Sequence, residues 1–258
     1  MTPRTLVLRT AGTNCDQETL FAFQQAGAQT TLLHVNRLTE NPDLLHQHQI
    51  LALPGGFSYG DDLAAGKILA NELRTALADH LRKFVDDGKL IIGICNGFQV
   101  LVKTGLLPGP FTPATRQTVT LAFNDSNKFE DRWIHLRSDS SRTPFIQKGQ
   151  IIQLPIAHGE GKFIPDSPAT LDALRQNDQI VFRYVDSEGR TGQPYPVNPN
   201  GSADDIAGIC DPTGRVLGLM PHPERHALSV QHPRWTREGL RAEGDGMQIF
   251  RNAVHCFT

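Results

Sequence analysis

The segment Lys89-Leu-Ile-Ile-Gly-Ile-Cys95-Asn-Gly97-Phe-Gln99-Val-Leu101 constrains the fold more than any other part of the chain. Its first half is a short, unbroken run of branched apolar residues, as in a strand buried on both faces of a parallel sheet. Its second half has helix-compatible spacing. A cysteine with glycine two residues before and two residues after it stands at the junction. That pattern reads as a strand–turn–helix elbow, and the glycines have a steric reason. A tight, strained turn leaves no room for side chains on its neighbours. The helix that follows would aim its first N–H groups at Cys95 and favour a thiolate. The N–H of Asn96 would face a developing oxyanion. Taken alone, the segment fits a buried structural cysteine among packing glycines equally well.

The rest of the chain supplies a frame for such an elbow. Thr5–Arg9, Thr30–Val35, Ile50–Leu53 and Leu90–Ile94 read as further buried strands. Between them, Glu18–Ala26 has helical spacing and ends at Gly27. Leu73, Leu77, Leu81 and Phe84 share one face of a second helix that stops before Gly88. Strand–helix–strand alternation predicts an α/β fold with a mostly parallel central sheet flanked by helices. After Pro113 the pattern changes. Val119–Phe123, Trp133–Arg137, Ile151–Pro155 and Ile180–Val185 read as strands with little helix between them, appended as antiparallel extensions. Val216–Met220 resembles one more buried strand, and Gly246–Val254 a closing helix. No repeat, low-complexity tract or linker divides the sequence, so residues 1–258 are expected to form one domain.

Composition narrows the class. With 258 residues the chain is long enough to bury a large core, and its 39% hydrophobic and 20% charged content is ordinary for a globular protein. Twenty-five basic and 27 acidic residues leave a formal charge of −2, so nothing points to nucleic acid or an anionic membrane. Four cysteines are too few for a disulfide scaffold. No apolar run approaches the ~18 residues of a membrane-spanning helix, and the first ten residues carry no apolar targeting core. A cytoplasmic protein with reduced thiols is expected. Asn124-Asp-Ser126 and Asn200-Gly-Ser202 match the glycosylation sequon but would then be accidental.

A thiol nucleophile needs a base, and His222 is the histidine best placed to be one. Leu217-Gly-Leu-Met220 delivers the chain to Pro221-His222-Pro223-Glu224-Arg225. If extended geometry persists, with the prolines holding it, His222 and Glu224 point the same way, and Glu224 can orient the imidazole. His46 and His48 read as solvated, and His80 lies on the amphipathic helix. Cys210 and Cys256 read as structural. Cys15 sits in the turn after the first strand, a position where ligand sites gather, but with no base evident nearby. His222 and His226 have helical zinc spacing, yet Pro223 opposes a helix there and no metal site is expected. Pro54-Gly55-Gly56-Phe57 follows a strand and exposes backbone N–H groups suited to an oxyanion. No Gly-x-Gly-x-x-Gly or complete phosphate loop is present, so no nucleotide site is expected in this chain.

Pro-Gly-Gly after a strand, Gly-x-Cys-x-Gly-x-x-Gln and Pro-His-Pro-Glu, in that order, resemble the class I glutamine amidotransferases, whose fold is flavodoxin-like. Within that superfamily, Gly12–Asp16, Gly55–Asp61, Gly93–Gln99, Pro155–Gly161, Asn198–Ser202 and Met220–Arg225 are similar to the glutaminase components of phosphoribosylformylglycinamidine synthases. The resemblance covers nearly the whole chain. It implies Cys95 as nucleophile, His222 as general base and acid, and Glu224 as its orienter. It implies an oxyanion hole from the N–H of Gly56, in the Gly55-Gly56-Phe57 loop, and the N–H of Asn96, next to Cys95. It places Gln99, His158 and Gly159 at the glutamine pocket.

The same resemblance implies that ammonia released from glutamine passes to a synthetase subunit, with a small bridging subunit in the assembly. That partner would bind ATP, magnesium and formylglycinamide ribonucleotide and form the amidine in purine biosynthesis, this chain holding no cofactor. The stretch Arg225–Gly246 resembles the C-terminal end of fused, single-chain enzymes more than the small bacterial subunit, and implies a partner-facing loop around Trp235. A stand-alone γ-glutamyl-type cysteine hydrolase and a non-catalytic glutamine-binding domain are the alternatives. The family-specific loops at His158 and Asn198 argue against the first, and the intact Cys, His and Glu against the second.

Overall fold

The structure, a computed structural model, describes residues 2–112 and 116–258. The change of pattern expected at Pro113 falls outside the described residues. Eleven strands are present among them: β1 (Arg4–Arg9), β2 (Gln29–His34), β3 (Ile50–Leu53), β4 (Leu90–Ile94), β5 (Val119–Phe123), β6 (Glu130–Ser138), β7 (Ile151–His158), β8 (Glu160–Pro165), β9 (Ile180–Val185), β10 (Ile206–Cys210) and β11 (Val216–Leu219). The helices are α1 (Asp16–Gln25), α2 (Val35–Glu40), α3 (Asp43–His46), α4 (Lys67–Ala76), α5 (Ala78–Asp86), α6 (Asn96–Thr104), α7 (Pro168–Gln176), α8 (Trp235–Glu238) and α9 (Met247–His255).

One nine-stranded sheet runs in the order β2-β1-β3-β4-β11-β10-β9-β6-β7, and β5 pairs with β8 in a separate ribbon. From β2 to β11 every pairing is parallel; from β11 to β7 every pairing is antiparallel. β3 and β4 are buried at every residue. Helices cover both faces of the parallel block, which explains why these strands read as continuous apolar runs. On one side α1 meets α9, where the rings of Phe23 and Phe250 lie edge to face with centroids 4.9 Å apart.

Several local expectations are corrected. The face formed by Leu73, Leu77, Leu81 and Phe84 is buried as read, but it belongs to two helices. Leu77, with φ −127°, breaks α4 from α5. Val35 opens α2 and does not close β2, because His34 caps that helix through its ring Nδ1. The region read as having little helix contains α7. Its start was written in the sequence: Ser167 accepts a hydrogen bond from the Thr170 N–H, and Pro168 occupies the first turn. His48 is not solvated but buried: its Nδ1 donates to Leu44 O at 2.9 Å, and its Nε2 then accepts from the Thr31 hydroxyl at 3.2 Å. Cys210 is buried, whereas Cys256 is exposed. Asn124 and Asn200 are both buried, so neither sequon is presented to solvent.

Candidate active site

The elbow takes the form its residues require. Cys95 follows β4 directly and stands before the first residue of α6 with φ 53° and ψ −107°, a strained geometry for a residue bearing a Cβ. Its N–H donates to Leu219 O of the neighbouring parallel strand at 2.8 Å, and its carbonyl accepts from Gln99 N–H at 3.1 Å. The backbone is therefore pinned on both sides of the bend. The two flanking glycines exist for close approach. A Cβ on Gly97 would stand 1.9 Å from Leu53 O, and one on Gly93 would stand 2.6 Å from Gly97 O. Any side chain there would push α6 off the sheet.

His222 and Glu224 stand together, though not by the expected route. His222 itself is extended, at φ −104° and ψ 90°, but Pro223–His226 form a 3-10 turn. Proline at the start of a turn is as natural as proline in an extended segment, and the turn brings Glu224 back beneath the ring. Nδ1 of His222 donates to Glu224 Oε1 at 2.6 Å, with both side chains buried. Nε2 has no hydrogen-bond partner among the described residues. Burial alone would lower the affinity of His222 for a proton. The Glu224 carboxylate and the neighbouring Cys95 outweigh it, and the group is raised well above the ordinary histidine value of 6.5. The backbone N–H of His222 donates to Pro155 O at 2.8 Å, tying this turn to β7.

Gly55 packs between the pieces. A Cβ on it would lie 2.9 Å from His222 Cε1, 3.1 Å from Cys15 Sγ and 3.4 Å from Cys95 Cβ. Gly56, at φ 137°, forms an antiparallel bridge with Thr13. The N–H of Phe57 is committed to Gly12 O at 2.9 Å, so this donor is not available to a ligand. Asn96 accepts from Ser58 N–H and donates to Asp61 Oδ1, linking the loop after β3 to the start of α6.

A cavity of about 300 Å³ opens over Cys95 and His222, at the lower end of the range for small-ligand clefts. Gly56, Phe57, Gln99, His158 and Gly159 all line it. Gln99 is held rather than free: its Nε2 donates to Glu160 O at 2.7 Å and its Oε1 accepts from Asn96 Nδ2 at 2.9 Å. His158 is buried with Nδ1 3.1 Å from Asn124 Oδ1, and Asn124 Nδ2 donates back to His158 O. Burial pushes the His158 proton affinity down to about 3, helped by the nearby charge of His222, so its ring is neutral.

Cys15 departs most from what the sequence suggested. Far from lacking a base, its Sγ lies 4.0 Å from His222 Nδ1 and accepts from Arg225 Nη2 at 3.1 Å. Burial raises its thiol. Two cysteines therefore flank one imidazole, and the tautomer separates them. Nδ1, on the Cys15 side, is already held by Glu224, which leaves Nε2 as the atom able to exchange a proton. Both cysteines stand at the start of a helix, Cys15 before α1 and Cys95 before α6, but only Cys95 has the strained left-handed backbone, φ 53° against −101° at Cys15. Asn124 and Arg225 had no assigned role from sequence. Asp61 and Glu160 also line the cavity, and burial raises both carboxyls. His226 donates from Nδ1 to Gln153 O, 2.7 Å away.

A parallel sheet with a cysteine elbow, a buried His–Glu pair and a small cleft gathered at the carboxyl ends of its strands is the plan of the class I glutamine amidotransferases. Residues 2–257 match the CobB/CobQ-like glutamine amidotransferase domain family. A curated relative from Dehalococcoides mccartyi, named phosphoribosylformylglycinamidine synthase subunit PurQ, is 51% identical over 97% of this chain and 96% of its own. One of the same name from Methanococcus maripaludis is 44% identical over the full length of both. A solved structure, PurLQS from Thermotoga maritima, contains a chain that superposes with a TM-score of 0.75 at 32% identity, covering 100% of each. The chain belongs to the PurQ family of phosphoribosylformylglycinamidine synthase subunits. Full-length alignment to separate subunits also corrects the reading of Arg225–Gly246: that stretch is no mark of a fused enzyme.

Proposed function

We propose that this chain hydrolyses glutamine at Cys95 and hands the ammonia to a synthetase subunit that converts formylglycinamide ribonucleotide to formylglycinamidine ribonucleotide. The observation that carries the reading is the division of labour on one imidazole. Glu224 holds Nδ1 of His222 at 2.6 Å, while Nε2 is left without a partner among the described residues beside the Cys95 elbow. The cavity wall also presents Arg225 together with Asp61 and Glu160, the charge types a zwitterionic amino acid needs.

The chemistry follows from these parts. The Cys95 thiolate forms a bond to the side-chain amide carbon of glutamine, and the carbonyl electron pair moves to oxygen. The N–H groups of Gly56 and Asn96 receive that oxyanion. Nε2–H of His222 then gives its proton to the amide nitrogen as the C–N bond breaks, and ammonia leaves. His222, now neutral, takes a proton from water as its oxygen attacks the thioester. Collapse breaks the C–S bond and returns thiolate and glutamate. Glu224 stabilises the imidazolium at each turn of the cycle.

Ammonia released to bulk water would be protonated and lost as a nucleophile, so a partner must receive it directly. In this reading ATP and magnesium belong to that partner and no cofactor to this chain. The protein works in the cytoplasm; among the described residues no helix is long and apolar enough to cross a membrane. The test is glutamine hydrolysis by the purified chain, alone and with a synthetase supplied with ATP, magnesium and its ribonucleotide. Slow turnover alone and strong stimulation in the assembly are expected. Rapid turnover alone, unchanged by the synthetase, would identify a free-standing hydrolase instead.

A further inference from the structure

We propose that Asp43, His46 and His80 form a second, surface site that takes a borderline divalent transition-metal ion of the Zn2+ type and fastens α3 to α5. The three side chains offer one ligand atom each, and these atoms lie within 4.8 Å of one another. Asp43 and His46 are three residues apart on the single turn of α3, so they project from one face. His80 comes across from α5, and its Nδ1 is 3.0 Å from His46 Nε2. A zinc ion with nitrogen bonds of ~2.0–2.1 Å at a tetrahedral angle separates two such nitrogens by roughly 3.3 Å. The separation of the pair is thus within a few tenths of an ångström of a chelate's, and the rings need to turn from facing each other toward a shared ion.

The surroundings suit ligation. Asp43 is exposed and both imidazoles are half-buried, so an ion has a route in and water can complete the shell. The neighbouring charges are disposed away from direct competition. Lys83 is paired with Asp87 at 2.9 Å, and Lys89 donates to the His46 carbonyl at 2.7 Å while lying over the Phe84 ring. Two nitrogens and a carboxylate select borderline ions over calcium or magnesium. The site has no sulfur ligand, which separates it from the Cys15–His222–Glu224 cluster. The physical consequence is local. A four-residue helix cannot persist on its own hydrogen bonds, and a cross-link to α5 would fix it.

The full chain, stripped with chelator, is titrated with Zn2+ by calorimetry and with Co2+ by visible absorption. The expected result is one ion per chain bound through nitrogen and oxygen, with Co2+ bands lacking the near-ultraviolet charge transfer of a thiolate ligand. His80→Gln and His46→Gln, checked for fold by circular dichroism, should each weaken that binding about tenfold or more, since losing a ligand costs at least as much as losing its outer-shell support. Glutaminase activity of metal-free His80→Gln should equal that of the parent chain. Absence of ion uptake overturns the proposal. So does unchanged affinity in both histidine variants, or a thiolate band that disappears in Cys15→Ser.

Discussion

The two halves of the large sheet supply the site in different ways. The parallel half, β2-β1-β3-β4-β11, presents Cys95 after β4, the Gly55–Gly56 loop after β3 and His222 beyond β11. Each sits at the carboxyl end of its strand, and strands adjacent in the sheet bring them together without further help. The antiparallel half reaches the same place by curvature. β7 lies at the far end of the sheet, four strands beyond β11, yet Pro155 O accepts the N–H of His222 and Ala157 O lies 3.8 Å from Cys95 Sγ. The sheet therefore curls until its last strand covers the exits of its middle ones. In the proposed mechanism the chemistry comes from the parallel half, while the curled half contributes Ala157, His158, Gly159 and Glu160 to the cavity wall.

That contrast can be broken in three places. The largest effect belongs to the parallel half. Cys95→Ala should lower glutamine hydrolysis by about 10³-fold or more, as loss of a covalent nucleophile does, with melting unchanged within a few degrees. Cys15→Ser should cost far less, and an equal loss there would transfer the nucleophile to Cys15.

Glu224→Gln comes next, at about 10²-fold in kcat/KM near neutral pH. It also moves a titration. The carboxylate raises His222 against the opposing effect of burial, so the alkaline limb of the wild-type profile should lie above the usual histidine range and drop toward it in the variant. Stability follows the same sign. The contribution of charged His222 is fully present below ~6.5 and is lost as pH rises through the elevated folded value. Thermal melts from pH 6 to 9 should therefore fall for the parent chain and flatten for Glu224→Gln.

The smallest effect tests the curled half. His158 is held neutral down to about 3, while an unfolded histidine takes its proton near 6.5. As pH falls below 6.5 the unfolded chain binds the extra proton first, and stability declines by up to about 1.4 kcal/mol per pH unit. His158→Gln should lessen the fall in melting temperature between pH 6.5 and 5. An unaltered slope would show that His158 is not neutral in the folded chain.

The same division explains what the sequence could and could not reveal. Leu90–Ile94 and Ile50–Leu53 coincide with strands residue for residue, because unbroken apolar runs have a single use in a parallel sheet. The glycines around Cys95 were legible because close approach leaves no alternative residue. Contacts across the curl were not. Nothing in Asn124 announces that it grips His158 from 34 positions away, since one follows the end of β5 and the other closes β7. Cys15 and Arg225, 210 apart, are joined only by folding. β8 escaped because Glu160 and Lys162 break its apolar run, and α7 because its capping serine stands in a polar stretch, whereas β10 was missed although its Ile-Ala-Gly-Ile pattern is as apolar as that of β4.

The hydrogen bond from His222 to Pro155 has an implication for the order of events during synthesis. Cys95 is made long before His222, its base in the proposed mechanism, and His222 cannot take its seat until β6 and β7 have bent over. A nascent or clipped chain that ends before residue 222 holds an elbow with no proton acceptor. Glutamine is safe from wasteful cleavage until the sheet has closed, which makes completion of the fold its own licence for activity.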